Sequence, residues 1–311
     1  MEKNIKKWLD KNFITDLENK TVVITGANSG IGYYVAYLCA YYKANVIMAI
    51  RSFERGEKAK NKILNEFPDA KIQLMQLDLA SIDSIKAFAN KVKEERIDID
   101  VFYNNAGLLK KTSDKTKDGY NLVMGTNYLG TFVLNEKLKD YFKSLDHEVK
   151  VIFTSSVAQY FCNHDKKDWL LLDKEYGTVK NYCISKRVIT HYFLSLVEEF
   201  ETTNVKALLV HPGITHTSLI DKSFGKVITY LADKFMNLIF HKVSKAALST
   251  MYLLNDNIKN GTFSGPRGLF MISGYPKKHR ISKGIRKHYL KTIEETKKLG
   301  LLKWFNKSRQ E

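Results

Sequence analysis

Short apolar runs alternate along this chain with longer stretches in which apolar residues recur every three or four positions. TVVIT (Thr21–Thr25), NVIMAI (Asn45–Ile50), KIQLMQL (Lys71–Leu77), DIDVFY (Asp98–Tyr103), VKVIFTS (Val149–Ser155) and VKALLV (Val205–Val210) are the short runs, and most are rich in β-branched residues. Such runs predict buried strands. Between them, segments such as Ser81–Glu95 and Tyr182–Phe200 carry helical periodicity. Strand and helix in strict alternation predict an α/β fold, a doubly wound parallel sheet covered on both faces. About seven strands are expected in a single domain, the seventh near Gly268–Ile272.

No linker, repeat or low-complexity tract divides the chain. The domain is expected over residues 19–274, after an N-terminal extension (1–18) expected to be helical. Residues 275–311 form a basic tail, expected to be helical at Ile285–Lys298.

Composition narrows the class. A hydrophobic content of 44% over 311 residues is enough for a sizeable core and argues against disorder. No apolar run approaches the roughly 20 residues that span a bilayer. The opening MEKNIKKWLDKNF lacks the apolar segment of a secretory signal. Three cysteines, Cys39, Cys162 and Cys183, show no CxxC spacing and imply neither a disulfide framework nor a metal site. A cytoplasmic location is expected.

Charge widens the picture again. Lys+Arg number 50 against 33 Asp+Glu, a net +17, which would suit nucleic acid, an anionic membrane or an anionic ligand. The lysines are dispersed, however, and the longest basic cluster is Lys277–Arg280. A solvated basic surface is the better reading, and nucleic acid is disfavoured.

Candidate chemistry begins at TGANSGIG, between the first strand and the first helix. Gly26 would make the turn, Gly30 would allow close approach of a ligand, and Gly32 would let helix pack on strand. With Asn28, Ser29 and Ile31 they form a loop whose N–H groups and helix dipole suit the pyrophosphate of a dinucleotide. The second strand ends Ile50-Arg51-Ser52, with no carboxylate for a ribose 2′-hydroxyl. A guanidinium there grips a 2′-phosphate, and Arg55 lies one turn on, so NADP(H) is preferred to NAD(H).

Further motifs follow in order: Asp78-Leu79 after the third strand, Asn104–Gly107 (NNAG) after the fourth, and Asn127 in the next helix. Ser155-Ser156 end the fifth strand, YCISK spans Tyr182–Lys186, and HPGITHT spans His211–Thr217 after the sixth. Over about Asn19–Ile272 the chain resembles the short-chain dehydrogenase/reductase family in its single-domain branch. It is most similar there to the retinol-dehydrogenase-like group.

The resemblance implies that Asp78 and Leu79 contact adenine and that Asn104 to Gly107 support the cofactor and the sheet, with Asn105, Ala106 and Gly107 on the cofactor. It also implies that Pro212, Gly213 and Thr217 close over the nicotinamide and diphosphate. Its catalytic set falls on Asn127, Ser156, Tyr182 and Lys186. Tyr182 and Lys186, four apart, share a helix face. A phenol near pKa ~10 is a poor base at neutral pH, and a neighbouring ammonium stabilises its phenolate. Lys186 would also hydrogen-bond the nicotinamide ribose. Ser156 would hold the substrate oxygen, and Tyr182 would give or take the proton. Asn127, as the family pattern implies, would anchor a water that relays protons to Lys186. Alone, a Tyr-x-x-x-Lys pair is packing beside a solvated lysine; its occurrence with Ser156 reverses that reading. His211 and His216 read as structural or substrate-loop residues, and Cys183 as a packing residue.

The substrate side is expected to include a lid at about 217–242, with Phe224, Val227, Ile228, Leu231, Phe235, Leu238 and Ile239 at helical spacing. A basic amphipathic helix of this kind covers an apolar pocket, contacts a membrane surface or forms a dimer interface; pocket cover is favoured. Val157–Phe161 and the run at Trp169 would add to the lining, which suits an apolar carbonyl or alcohol. The expected function is NADP(H)-dependent interconversion of an alcohol and an aldehyde or ketone, in a homodimer or homotetramer. The rivals are a catalytically silent NADP(H)-binding sensor or scaffold, and a peripheral membrane or nucleic-acid-binding protein.

Overall fold

The computed structural model describes residues 1–109, 114–162, 177–214 and 242–298. The run at Trp169, His216, Thr217 and the expected lid up to residue 241 lie outside the described residues.

Eight strands build one sheet: β1 (Thr21–Thr25), β2 (Asn45–Ile50), β3 (Ile72–Gln76), β4 (Val101–Asn104), β5 (Val149–Thr154), β6 (Val205–Val210), β7 (Phe263–Pro266) and β8 (Pro276–His279). Their order is β3-β2-β1-β4-β5-β6-β7-β8. Every neighbouring pair is parallel except β7 with β8. The longer helices are α1 (Lys3–Asn12), α2 (Gly30–Tyr41), α3 (Phe53–Leu64) and α4 (Ile82–Glu94). After α5, a single turn at Leu122–Met124, they continue with α6 (Thr131–Ser144), α7 (Thr178–Glu199) and α8 (Val243–Leu254).

Side chains alternate across each strand, and the sheet therefore divides two cores. Val22 and Ile24 face the core formed with α1, α2, α3 and α8, whereas Val23 faces the core formed with α4, α6 and α7. Polar residues set the helix starts. Ser52 caps α3 by accepting from the Arg55 N–H, and Ser81 caps α4 by accepting from the Ser84 N–H.

Two strand expectations are corrected. The fourth strand starts at Val101, three residues later than DIDVFY suggests, because the Asp100 carboxylate accepts from the Thr21 N–H at 2.8 Å and pairs with Lys20 at 2.9 Å. The seventh is not Gly268–Ile272. That stretch holds a 3-10 turn whose Leu269 and Phe270 are 79% and 74% exposed. Phe270 and Met271 have φ of 49° and 57°, values that extended backbone does not take. β7 lies before this turn and β8 after it.

The first helix and the helix Tyr289–Thr296 pack back onto the sheet domain. Ile5, Trp8 and Leu9 of α1 are buried in the same core as α8. The Asn255 carboxamide joins them, accepting from Ile14 N–H and donating to Asn12 O, both at 3.1 Å. Trp8 stacks on Tyr275. Near the other end, helix Tyr289–Thr296 lies on α7, with Thr292 Oγ1 2.7 Å from His191 Nδ1 and Thr296 Oγ1 2.6 Å from the Tyr128 hydroxyl.

Candidate active site

Parallel strands place all their carboxyl ends on one edge, and the strand order reverses between β1 and β4, which opens a crevice there. A cleft of about 820 Å³ occupies it. Its wall brings together Gly26, Asn28, Ser29, Gly30, Ile31, Arg51, Asp78, Leu79, Asn105, Ala106, Gly107, Ser156, Tyr182, Lys186, Pro212 and Gly213. These come from seven separate stretches of sequence. Gly32 and Asn127 do not line the cleft; they act from behind it.

The turn after β1 is locked to the turn after β4. Thr25 Oγ1 accepts from the N–H groups of Asn105 and Ala106 at 3.0 and 2.9 Å, and Asn105 Nδ2 donates to Thr25 O at 2.9 Å. Gly26 has φ of 67°, and a Cβ on it would lie 3.1 Å from Ala106 Cα, so a side chain is excluded twice over. A Cβ on Gly32 would collide with the Asn105 carboxamide and the Gly26 carbonyl oxygen. Sequence reasoning did not single out Thr25, although it lies inside the glycine motif.

At the other end of the cleft, β2 gives way to α3. Arg51, Ser52 and Arg55 line the wall there, beside the first turn of a 12-residue helix. Arg51 is exposed, and no carboxylate among the described residues pairs with it. Two guanidinium groups and a helix N-terminus make this corner attractive to an anion. Asp78 points its Oδ1 at the Ala80 N–H (3.0 Å) and steadies the turn that carries Leu79.

The catalytic candidates meet between β5 and α7. Ser155 turns away, its Oγ 2.8 Å from Thr190 Oγ1 and 3.2 Å from Lys186 O. Ser156 accepts from Ala158 N–H at 3.2 Å and hydrogen-bonds the Tyr182 phenol. Burial pushes the Tyr182 phenol up to about 12, although the Ser156 hydrogen bond pulls the other way. Lys186 is buried, its Nζ donates to Thr154 O at 3.0 Å, and burial lowers it to about 8.

Asn127 occupies a π-helical segment, Gly125–Gly130, between α5 and α6. Its Oδ1 accepts from Leu108 N–H at 2.7 Å, and its Nδ2 donates to Leu108 O at 2.9 Å and Ser185 Oγ at 3.1 Å. It thus ties the loop after β4 to α7, one residue from Lys186. Asn104 faces the other way, in a reciprocal amide pair with Asn135 of α6. His211 is buried in the cleft wall, its Nε2 3.1 Å from Met271 O.

The short chain dehydrogenase family profile matches residues 20–226. The chain belongs to that family. Within it the chain falls in the retinol-dehydrogenase-like group: it is 32% identical to mouse retinol dehydrogenase 13 over 261 residues, 81% of this chain and 77% of that one. It is 31% identical to human polyprenol dehydrogenase, over 75% of this chain and 72% of that one. Among solved structures, an uncharacterised protein from Mycobacterium paratuberculosis superposes with a TM-score of 0.71 at 26% identity, covering 91% of this chain and 95% of that one. This short-chain dehydrogenase therefore has the Rossmann-type sheet of its family, with β8 as an antiparallel edge.

Proposed function

We propose that this short-chain dehydrogenase is an NADP(H)-dependent oxidoreductase that interconverts an alcohol and an aldehyde or ketone on an apolar substrate. The observation that carries this reading is the meeting of Ser156, Tyr182 and Lys186 in the wall of a cleft whose far end holds Arg51 and Arg55. The residues present fit the cofactor. The Gly26 turn and the start of α2 offer N–H groups for the pyrophosphate, and the two guanidinium groups suit a 2′-phosphate. When bound, NADP(H) supplies or accepts the hydride.

The protein's own residues handle the proton. In reduction the Ser156 hydroxyl donates to the substrate carbonyl oxygen, which becomes more electron-poor at carbon. Tyr182 then transfers its phenolic proton to that oxygen. A phenol at about 12 holds this proton at neutral pH, so the cleft is charged with the acid that reduction needs. A protonated Lys186 stabilises the phenolate left behind. Oxidation runs the same steps backwards. Leu108, Leu109, Leu122, Val157, Phe161 and Val179 give the rest of the wall an apolar surface. The names of the two relatives specify retinol and polyprenol, both apolar alcohols, which supports the substrate class.

The test titrates NADPH and NADH against wild type and Arg51→Glu by fluorescence, then measures turnover of apolar aldehydes and ketones. Wild type should prefer NADPH, and the substitution should weaken NADPH at least tenfold, the effect of losing a charge-assisted hydrogen bond of about 1.5–3 kcal/mol. Binding of neither nucleotide would end this reading.

A further inference from the structure

Cys162 and Cys183 are distant in sequence and adjacent in the fold. Cys183 follows Tyr182 on α7 and lines the cleft. Cys162 ends the stretch that begins at Ser156, and its Sγ lies 3.9 Å from the Lys180 carbonyl oxygen, one helical turn before Cys183. A helical Cβ leans towards the helix N-terminus, so the Cys183 side chain overlies Lys180 and meets Cys162. The two thiols are within hydrogen-bonding reach of each other. Arg187 Nη1 donates to Cys162 O at 2.5 Å and fixes the backbone on that side. Both thiols are free; the third, Cys39, is buried in the core of the opposite sheet face.

We propose that Cys162 and Cys183 form an oxidisable dithiol in the wall of the cleft, which peroxide closes to a disulfide, a dithiol reductant reopens, and whose closure slows turnover. The second half rests on the reading of Tyr182 as the acid/base. Two steps balance the chemistry. The Cys162 sulfur attacks one peroxide oxygen, the O–O bond breaks, and a sulfenic acid and one water result. The Cys183 sulfur then attacks the sulfenic sulfur, the S–S bond forms as S–O breaks, and a second water carries off the oxygen and the thiol proton. One peroxide is reduced to two waters as two thiols are oxidised.

Closure acts on the site through geometry. A disulfide bond of about 2.05 Å is far shorter than a contact between two thiols. It draws Phe161 and Cys162 towards the first turn of α7, where Phe161, Val179 and Tyr182 all line the cleft. Ser156 stands at the start of the stretch that ends in Cys162, and its hydrogen-bond partner Tyr182 precedes Cys183, so closure strains that bond. Neither Arg51 nor the glycine turn does, so cofactor binding is spared.

The experiment treats the full chain with hydrogen peroxide, unfolds and alkylates it, counts thiols and maps the peptides by mass. The count should fall from three to one, with a peptide joining Cys162 to Cys183 that dithiothreitol separates. Cys39→Ser should keep the cross-link and Cys162→Ser should abolish it. Turnover should fall at least fivefold on oxidation of wild type, recover on reduction, and be insensitive to peroxide in Cys162→Ser. Three surviving thiols, or oxidation without this cross-link, would overturn the site. A cross-link with unchanged turnover would overturn its effect on catalysis. The peptide map needs no substrate and no variant, so it stands apart from any failure of the oxidoreductase reading.

Discussion

The Lys186 ammonium lies 5.7 Å from the centroid of the Tyr182 ring, while its own hydrogen bond goes to Thr154 O at 3.0 Å. Helical spacing puts the two side chains on one face, and the carbonyl at the end of β5 decides where the charge rests. Burial moves the pair in opposite senses, Lys186 down to about 8 and Tyr182 up to about 12. In both cases the charged form is the one penalised.

Lys186 should therefore leave a mark on stability against pH. Between about 8 and its ordinary value of 10.5 the unfolded chain binds more protons at this lysine than the folded one, so its contribution to stability rises with pH. Lys186→Met removes the buried charge, a gain of about 3 kcal/mol at pH 7, and loses one hydrogen bond of about 1 kcal/mol. The variant should be the more stable protein at pH 7, with the gap closing by pH 10. Urea denaturation at the two pH values measures it; a gap that stays constant would contradict the assignment.

Tyr182→Phe deletes the proton donor and little else. Turnover should drop by about 10²–10⁴-fold, the usual contribution of general acid–base catalysis. NADPH should still quench or shift the protein fluorescence in this variant. Turnover near the wild-type rate would move the proton transfer to another group.

Gly130→Ala probes the packing of the π-helical segment against the turn that carries Leu79. A helical alanine gains about 1 kcal/mol over glycine by propensity. Here its Cβ would run into the Leu79 carbonyl oxygen, a backbone atom that cannot swing aside, and overpacking costs about 1–3 kcal/mol. The clash should win. Thermal melting should show a destabilised variant, and NADPH titration a weaker site, because Leu79 lines the cleft.

Thr296→Val tests the helix laid across α7. It strips the Tyr128 hydroxyl of its partner in a buried setting, at a cost of about 1–3 kcal/mol. Thr296→Ser keeps the hydroxyl and should keep most of the stability. Equal melting temperatures for the two variants would show that the hydrogen bond contributes nothing.

The central strands were legible because parallel strands are buried on both faces and read as apolar runs. So was the cleft, since its residues sit at strand ends in short motifs. The edge of the sheet was not. GLFMI at Gly268–Ile272 looks like a strand by composition, yet it forms an exposed turn with two left-handed residues. FSGP, which does pair with β6, carries a glycine and a proline and has weak strand character alone. The Asn127 bracing of Leu108 and the Cys162–Cys183 contact escaped for a different reason. Each joins segments that only the folded sheet brings together, and no periodicity marks them.

The seating of α1 fixes when this molecule can finish folding. Asn255, which holds the end of α1, comes 241 positions after Ile14, and Tyr275, on which Trp8 stacks, comes later still. At roughly 5–20 residues per second of synthesis, α1 leaves the ribosome some 10–50 s, as an order of magnitude, before its seat exists. Through that interval Ile5, Trp8 and Leu9 of α1 lack the Asn255 and Tyr275 contacts that complete their seat. α1 is therefore held in its final seat only once the chain has been made through Tyr275.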